Sequence, residues 1–180
     1  MQHRTSVPED EIPVILHGGC IPARTDDVAL WIDNIHVFST GIEFTIRARY
    51  RSAAQVEVFG LGPDTHPHTN GARLHLAVAY PDGRLATNTV DFRSPPHDPN
   101  QPYLSSGSAI SGEASAYARH FLSPLPPPGP LTVAFALPEA SIGEHRLILD
   151  GSAILEAAAG VVRLWPPEQT DTPNLAATLC

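Results

Sequence analysis

Residues with the spacing of metal ligands lie together in the stretch GLGPDTHPHTNG, at positions 60–71. Asp64, His66 and His68 fall close enough in the chain for imidazole and carboxylate groups to share one divalent metal ion. A catalytic metal site needs a third protein ligand and an open position. The stretch therefore predicts either a metal site completed elsewhere or a polar turn, because Gly, Pro, Asp and Asn are the residues that turns favour.

Four histidines on or beside predicted strands are candidates for that third ligand: His36, His75, His120 and His145. The sequence does not match the motifs of two other kinds of active site. Ser111 has Ala109 and Glu113 where a nucleophile elbow requires glycines, and no glycine-rich phosphate loop follows a predicted strand. The sequence favours a non-catalytic protein, and we expect no cofactor.

Three arginines alternate along one segment of the chain: Arg47, Arg49 and Arg51. Alternate residues of a strand share a face and lie about 6–7 Å apart. They predict either a binding patch for an acidic protein partner or the ordinary solvated face of a half-buried strand. Asp33, on the preceding predicted strand, is placed for a cross-strand ion pair with this face.

Apolar and polar residues alternate with a period of two through much of the chain, which predicts antiparallel strands. The clearest strand is residues 42–51, IEFTIRARYR, which forms a hairpin with residues 28–38. The remaining predicted strands are residues 55–59, 74–80, 85–92, 115–122, 131–137 and 144–149. Pro81 to Gly83 forms the turn between two of them.

The segments between strands have their own signals. Residues 94–112, rich in Pro, Ser and Gly, predict a long surface loop. The prolines of residues 122–138 predict a structural corner between two strands, since proline cannot donate to a ladder; a polyproline ligand is the alternative. Residues 152–165 place Ile154, Ala158 and Trp165 on one face of an amphipathic helix.

These elements predict a mainly β protein, an antiparallel β-sandwich that is Ig-like or jelly-roll-like with one C-terminal amphipathic helix. The single sandwich domain is expected over residues 26–166, with the helix at 152–165. An irregular leader is expected over residues 1–25 and a disordered tail over residues 167–180.

Charge and hydropathy limit the classes of partner that the sequence predicts. A net charge of −8 over 180 residues argues against a nucleic-acid binder, and no apolar run is long enough for a membrane span. We expect a cytoplasmic protein-binding or scaffold module, whose partner is another protein or a second copy of this chain. All 11 basic residues are arginines, which with abundant Ala, Pro and Gly is typical of a high-GC bacterium.

Two resemblances go beyond these patterns. The order of RTDDVA at 24–29, TGIEF at 40–44, SPLPPPGPL at 123–131 and RLWP at 163–166 resembles a family of uncharacterised, β-rich proteins of actinobacterial type. That resemblance implies a shared fold over about residues 22–167 and carries no activity, cofactor or catalytic residue.

The second resemblance is partial. Gly60, five further residues and then His66-Pro67-His68 resemble the first motif of the cupin jelly rolls, but Ala72 and Arg73 stand where cupins carry a carboxylate. It implies the alternative function, a metal-dependent small-molecule enzyme or binder of cupin-like jelly-roll type.

Overall fold

A computed structural model describes residues 6–17, 23–52, 74–88, 98 and 100–165. An α-helix, α1, spans Gly151–Ala159, and a 3₁₀ turn covers Pro138–Ala140. The strands are β1 (Glu11–Ile12), β2 (Val14–Leu16), β3 (Ala23–Arg24), β4 (Val28–Val37), β5 (Ile42–Tyr50), β6 (His75–Ala79), β7 (Leu85–Thr87), β8 (Tyr103–Ser111), β9 (Ser115–Ser123), β10 (Pro130–Leu137), β11 (Ile142–Asp150) and β12 (Val162–Arg163).

The strands form two main antiparallel sheets and a small ribbon. The six-stranded sheet has the order β2–β4–β5–β9–β8, with β3 paired to the same strand, β4, as β2. The four-stranded sheet has the order β11–β10–β6–β7, and β1 pairs with β12. The inner faces of both main sheets share one apolar core with α1. The predicted mainly β, antiparallel sandwich with a helix near the C-terminus is confirmed.

The predicted hairpin is present as β4 and β5, and it lies in the middle of the six-stranded sheet. Every second side chain of β5 is buried in the core, and these side chains are Ile42, Phe44, Ile46, Ala48 and Tyr50. The register pairs Val28 with Tyr50 and Ile32 with Ile46, and it shifts at a bulge between Ile32 and Ile35. The intervening side chains of β5 therefore all point away from the core.

The four-stranded sheet follows the same rule. The alternate side chains Leu131, Val133, Phe135 and Leu137 of β10 are buried, and β11 pairs with β10. β6 and β7 flank the predicted turn, in which Gly83 has φ of 86° and so adopts a conformation that favours glycine. The strand predicted over residues 85–92 is described as far as Thr87; its further part lies outside the described strands.

The proline-rich segment is a structural corner, as expected. β9 of the six-stranded sheet ends at Ser123, and β10 of the four-stranded sheet begins at Pro130. The prolines between them therefore connect the two main sheets. The Tyr80 hydroxyl donates a hydrogen bond to the Pro124 carbonyl oxygen at 2.5 Å, and burial raises the pKa of this phenol. The corner is thereby tied to the residue that directly follows β6.

The helix is shorter than the predicted residues 152–165. The Asp150 carboxylate accepts a hydrogen bond from the Ser152 backbone N–H at 2.8 Å, and α1 ends at Ala159 before Gly160. Glycine is a poor helix former, and Val162 and Arg163, which follow it, pair with β1 instead. Trp165, expected on the apolar face of the helix, is 68% exposed.

Two predicted irregular segments contain strands. The expected leader, residues 1–25, holds β1, β2 and β3, and the expected loop, residues 94–112, holds β8. β2, β3 and β8 lie at the edges of the six-stranded sheet, where pairing with β4 and β9 outweighs their weak strand-forming composition, and β1 pairs with β12. Residues 55–59 and the expected tail at 167–180 lie outside the described residues.

Gly151 is expected to be indispensable to the corner. Its backbone N–H donates to the Gly129 carbonyl oxygen at 2.8 Å, and an added Cβ would fall against the Pro127 carbonyl oxygen. Gly151→Ala should lower the free energy of unfolding by about 2 kcal/mol, since backbone must move to admit the methyl group. Gly143→Ala, where the methyl group meets nothing within 4 Å, is the control. Urea unfolding measures both, and equal stability of the two variants would contradict the packing described.

Candidate functional site

The outer face of the six-stranded sheet carries a row of large side chains that crosses four adjacent strands. The register makes Trp31 of β4, Arg47 of β5, Tyr117 of β9 and Ile110 of β8 direct neighbours. Directly paired residues of an antiparallel sheet share one face, and here it is the face away from the core. These four residues are called the central row; Ile110 is 50% exposed.

Arg47 is held in place within the central row. Its Nε lies 2.5 Å from Asp33 Oδ2, and its guanidinium carbon lies 5.8 Å from the centroid of the Tyr117 ring. The predicted cross-strand ion pair with Asp33 is therefore present. Exposed contacts of this kind contribute roughly 1 kcal/mol or less each, so their main effect is to orient the guanidinium beside the aromatic rings.

The three predicted arginines occupy different positions. Arg47 and Arg49 both project from the outer face of β5. Arg51 lies beyond the end of β5, where its backbone N–H donates to the Asp27 carbonyl oxygen at 2.8 Å. The predicted patch is thus not one uniform line, because only two of its members stand on the sheet. Arg119, exposed on β9, is a further member of this face.

Carboxylates limit the positive charge of the face. Asp33 is engaged by Arg47, and Glu43 Oε1 lies 3.5 Å from Nδ1 of His36. Asp26 and Asp27 are exposed in the turn between β3 and β4, at the Arg51 end of the sheet. Positive charge therefore predominates in the middle of the face and is offset at that end.

The central row was not predicted from the sequence as a unit. The alternation of residues 115–122 places Tyr117 on the face of its strand that points away from the buried side chains. Its neighbours on other strands depend on register, which is not a local property of the chain. Ile110 lies in a segment expected to be a loop. A search for aromatic residues at outward positions of adjacent strands could have found Trp31 and Tyr117.

The predicted metal ligands Asp64, His66 and His68 lie outside the described residues, so that site stays a prediction. Among the residues that the structure describes, no three His, Cys, Asp or Glu side chains are grouped as a metal site would require.

The four strand histidines lie on four different faces of the sandwich. His36 is on the outer face of the six-stranded sheet and His75 on that of the four-stranded sheet. His145 stacks with the inward Phe135 ring at 6.0 Å, and His120 is buried on the inner face of β9. Within the described part of the chain, none of them belongs to a group of three metal-ligating side chains.

A second group of exposed apolar side chains lies at the β1–β12 ribbon. Ile12 and Val162 are paired across it, and both are more than half exposed. Leu164 and Trp165 follow directly in the chain and are exposed as well. The charged side chain held in a fixed orientation in this ribbon, Glu11, is buried and accepts hydrogen bonds from the Ser39 backbone N–H and hydroxyl. The exposed, oriented Arg47 distinguishes the central row from this group.

Comparisons with protein-family models, with curated proteins and with solved structures find no match to this chain. The resemblance to a β-rich family of actinobacterial type therefore stays a prediction from its motifs. No helix among the described residues is long and apolar enough to cross a membrane.

The buried His120 predicts how stability depends on pH. Its ring lies 5.7 Å from that of Phe44, and desolvation by burial lowers its pKa from 6.5 to about 4. The unfolded chain then binds this proton more readily, so stability falls as pH drops from 6.5 towards 4. Between about pH 7.5 and about pH 5 the expected loss from this one group is about 2 kcal/mol.

The measurement is urea unfolding of the protein and of His120→Phe at both pH values. The variant should lose about 2 kcal/mol less between them, because it lacks the titrating group. His75→Phe, at an exposed site on the other sheet, controls for the removal of a histidine as such. An identical pH dependence in the protein and His120→Phe would contradict this account.

Proposed function

We propose that the protein is a non-catalytic binding module that recognises another protein through the central row. The observation that supports this most strongly is the row's composition, Trp31, Arg47, Tyr117 and Ile110 side by side on adjacent strands. Tryptophan, tyrosine and arginine are the residues most enriched among those that contribute most to protein–protein binding. The proposed setting is the cytoplasm, the compartment expected from the sequence.

The rigidity of the site favours binding. The central row stands on four paired strands, and Arg47 is already oriented by Asp33 and Tyr117. A side chain that is ordered before binding loses less conformational entropy when a partner covers it. Aromatic side chains also bury a large area with few rotatable bonds, so the row offers affinity at low entropic cost.

Charge favours an acidic partner. The chain as a whole carries −8, which repels acidic proteins, whereas the middle of this face presents arginines. An acidic partner would therefore be oriented towards this face and away from the rest of the surface. Such an interaction weakens with added salt, because exposed charges are screened within about 10 Å at 0.1 M ionic strength.

The test is recovery of a stoichiometric partner by the tagged protein from an extract of its own cells, compared across variants. Tyr117→Ala and Arg47→Ala should each reduce recovery at least about tenfold, the effect of about 1.4 kcal/mol. Higher salt should reduce recovery by the unsubstituted protein. Mass spectrometry identifies the partner and measures its amount.

Arg146→Ala is the matched control, because Arg146 also lies on a strand in an ion pair, with Glu144 at 2.6 Å, but on the other sheet. It should recover the partner normally. Urea unfolding of each variant establishes that it is folded. A partner that binds all three variants equally, or the absence of any stoichiometric partner, would contradict the proposed function.

A further inference from the structure

A second row on the same face brings two arginines to either side of a small residue. Ala29 of β4 is paired with Arg24 of β3 on one side and with Arg49 of β5 on the other. Both arginines are exposed, and Ala29 is half-buried between them. Neighbouring strands are about 4.8 Å apart, so the two arginine Cα atoms are separated by about 10 Å.

These two arginines are available to a ligand. Within the described part of the chain, neither side chain forms an ion pair. Each guanidinium carries five N–H donors and no acceptor, and only the short alanine side chain stands between the two arginines in this row. Two like charges on neighbouring strands of one face are stabilised by an anionic group placed between them.

We infer that the partner presents an extended acidic segment, with one carboxylate above Ala29 between Arg24 and Arg49. This inference rests on the proposed function and specifies the partner's chemistry. Adjacent outward rows of the sheet are two residues apart, and an extended segment has the same repeat. The side chain two residues from that acidic residue therefore meets the central row, and an aromatic side chain there would pack against Trp31 and Tyr117.

The direction of the segment follows from the other charges. Asp26 and Asp27 lie in the turn beyond the row that contains Arg24, and they repel an acidic segment that extends towards this turn. In the opposite direction, past the central row, Asp33 of β4 is paired with Arg47. A segment that slants from β4 across β5 towards β9 instead reaches Arg119, which is exposed in the row that pairs with Thr45. The segment thus carries a second acidic residue four positions from the first, with the aromatic residue midway between them.

The probe is a fluorescent heptapeptide, Thr-Glu-Thr-Tyr-Thr-Glu-Thr, titrated at low salt and compared with the same peptide carrying glutamine in place of both glutamates. The glutamate peptide should bind at least about tenfold more tightly. The double variant Arg24→Gln, Arg49→Gln should lose about tenfold in affinity for it, the sum of two exposed ion pairs. The double variant Arg146→Gln, Arg163→Gln removes the same charge elsewhere and should bind normally.

Several results would overturn the inference. The glutamate peptide could fail to bind at concentrations up to about 1 mM. The two peptides could bind with equal affinity, or the Arg24, Arg49 double variant could bind the glutamate peptide as tightly as the unsubstituted protein does. Tighter binding of a single-stranded oligonucleotide to this face would also overturn it, since stacking on aromatic rings beside arginines is the chemistry of such sites.

Recovery of the cellular partner separates this inference from the proposed function. If Tyr117→Ala abolishes recovery while the Arg24, Arg49 double variant recovers the partner fully, the central row binds a protein. The inference that this protein presents an acidic segment is then wrong. If neither variant affects recovery, both proposals fail. If both variants lose the partner, both are supported.

Discussion

The two-residue period of β5 is the constraint on which both faces of the six-stranded sheet depend. Because Ile42, Phe44 and Ile46 must be buried, Arg47 and Arg49 are forced to the outer face. A shift of register by one residue would bury the arginines and expose the core, at a cost far beyond the stability of a domain. The flanking strands β4 and β9 are aligned to the same period, so Trp31 and Tyr117 are brought beside Arg47 by the packing of the core.

The backbone of the outer face is consequently held in place by the core beneath it. A paired strand on each side of β5 fixes the backbone, and the Asp33 carboxylate and Tyr117 ring fix the guanidinium. Core packing is energetically strong, whereas the exposed ion pair and cation–π contact are weak. The arrangement of the candidate site is therefore a consequence of the core, and variants at the outer face should alter binding without unfolding the protein.

Structural features that depend on residues close together in the chain can be predicted from the sequence. The alternation in β5 and β10, the turn ending at Gly83 and the corner before Pro130 are all recognisable from neighbouring residues. Edge strands such as β2 and β8 are not, because they form through pairing with strands distant in the chain. The end of α1 at Gly160 depends likewise on β12 pairing with β1. The central row needs the register of four strands, which explains why the arginines were predicted and their aromatic neighbours were not.

The central claim is that the outer face of the six-stranded sheet is the binding surface, and side-chain footprinting tests it most directly. Hydroxyl-radical oxidation, with and without the recovered partner, reports on the two tryptophans separately. The account predicts that the partner protects Trp31 and Tyr117, while Trp165, which is 68% exposed beside the β1–β12 ribbon, is oxidised as before. Protection of Trp165 with unchanged oxidation of Trp31 and Tyr117 would contradict it and assign binding to the ribbon.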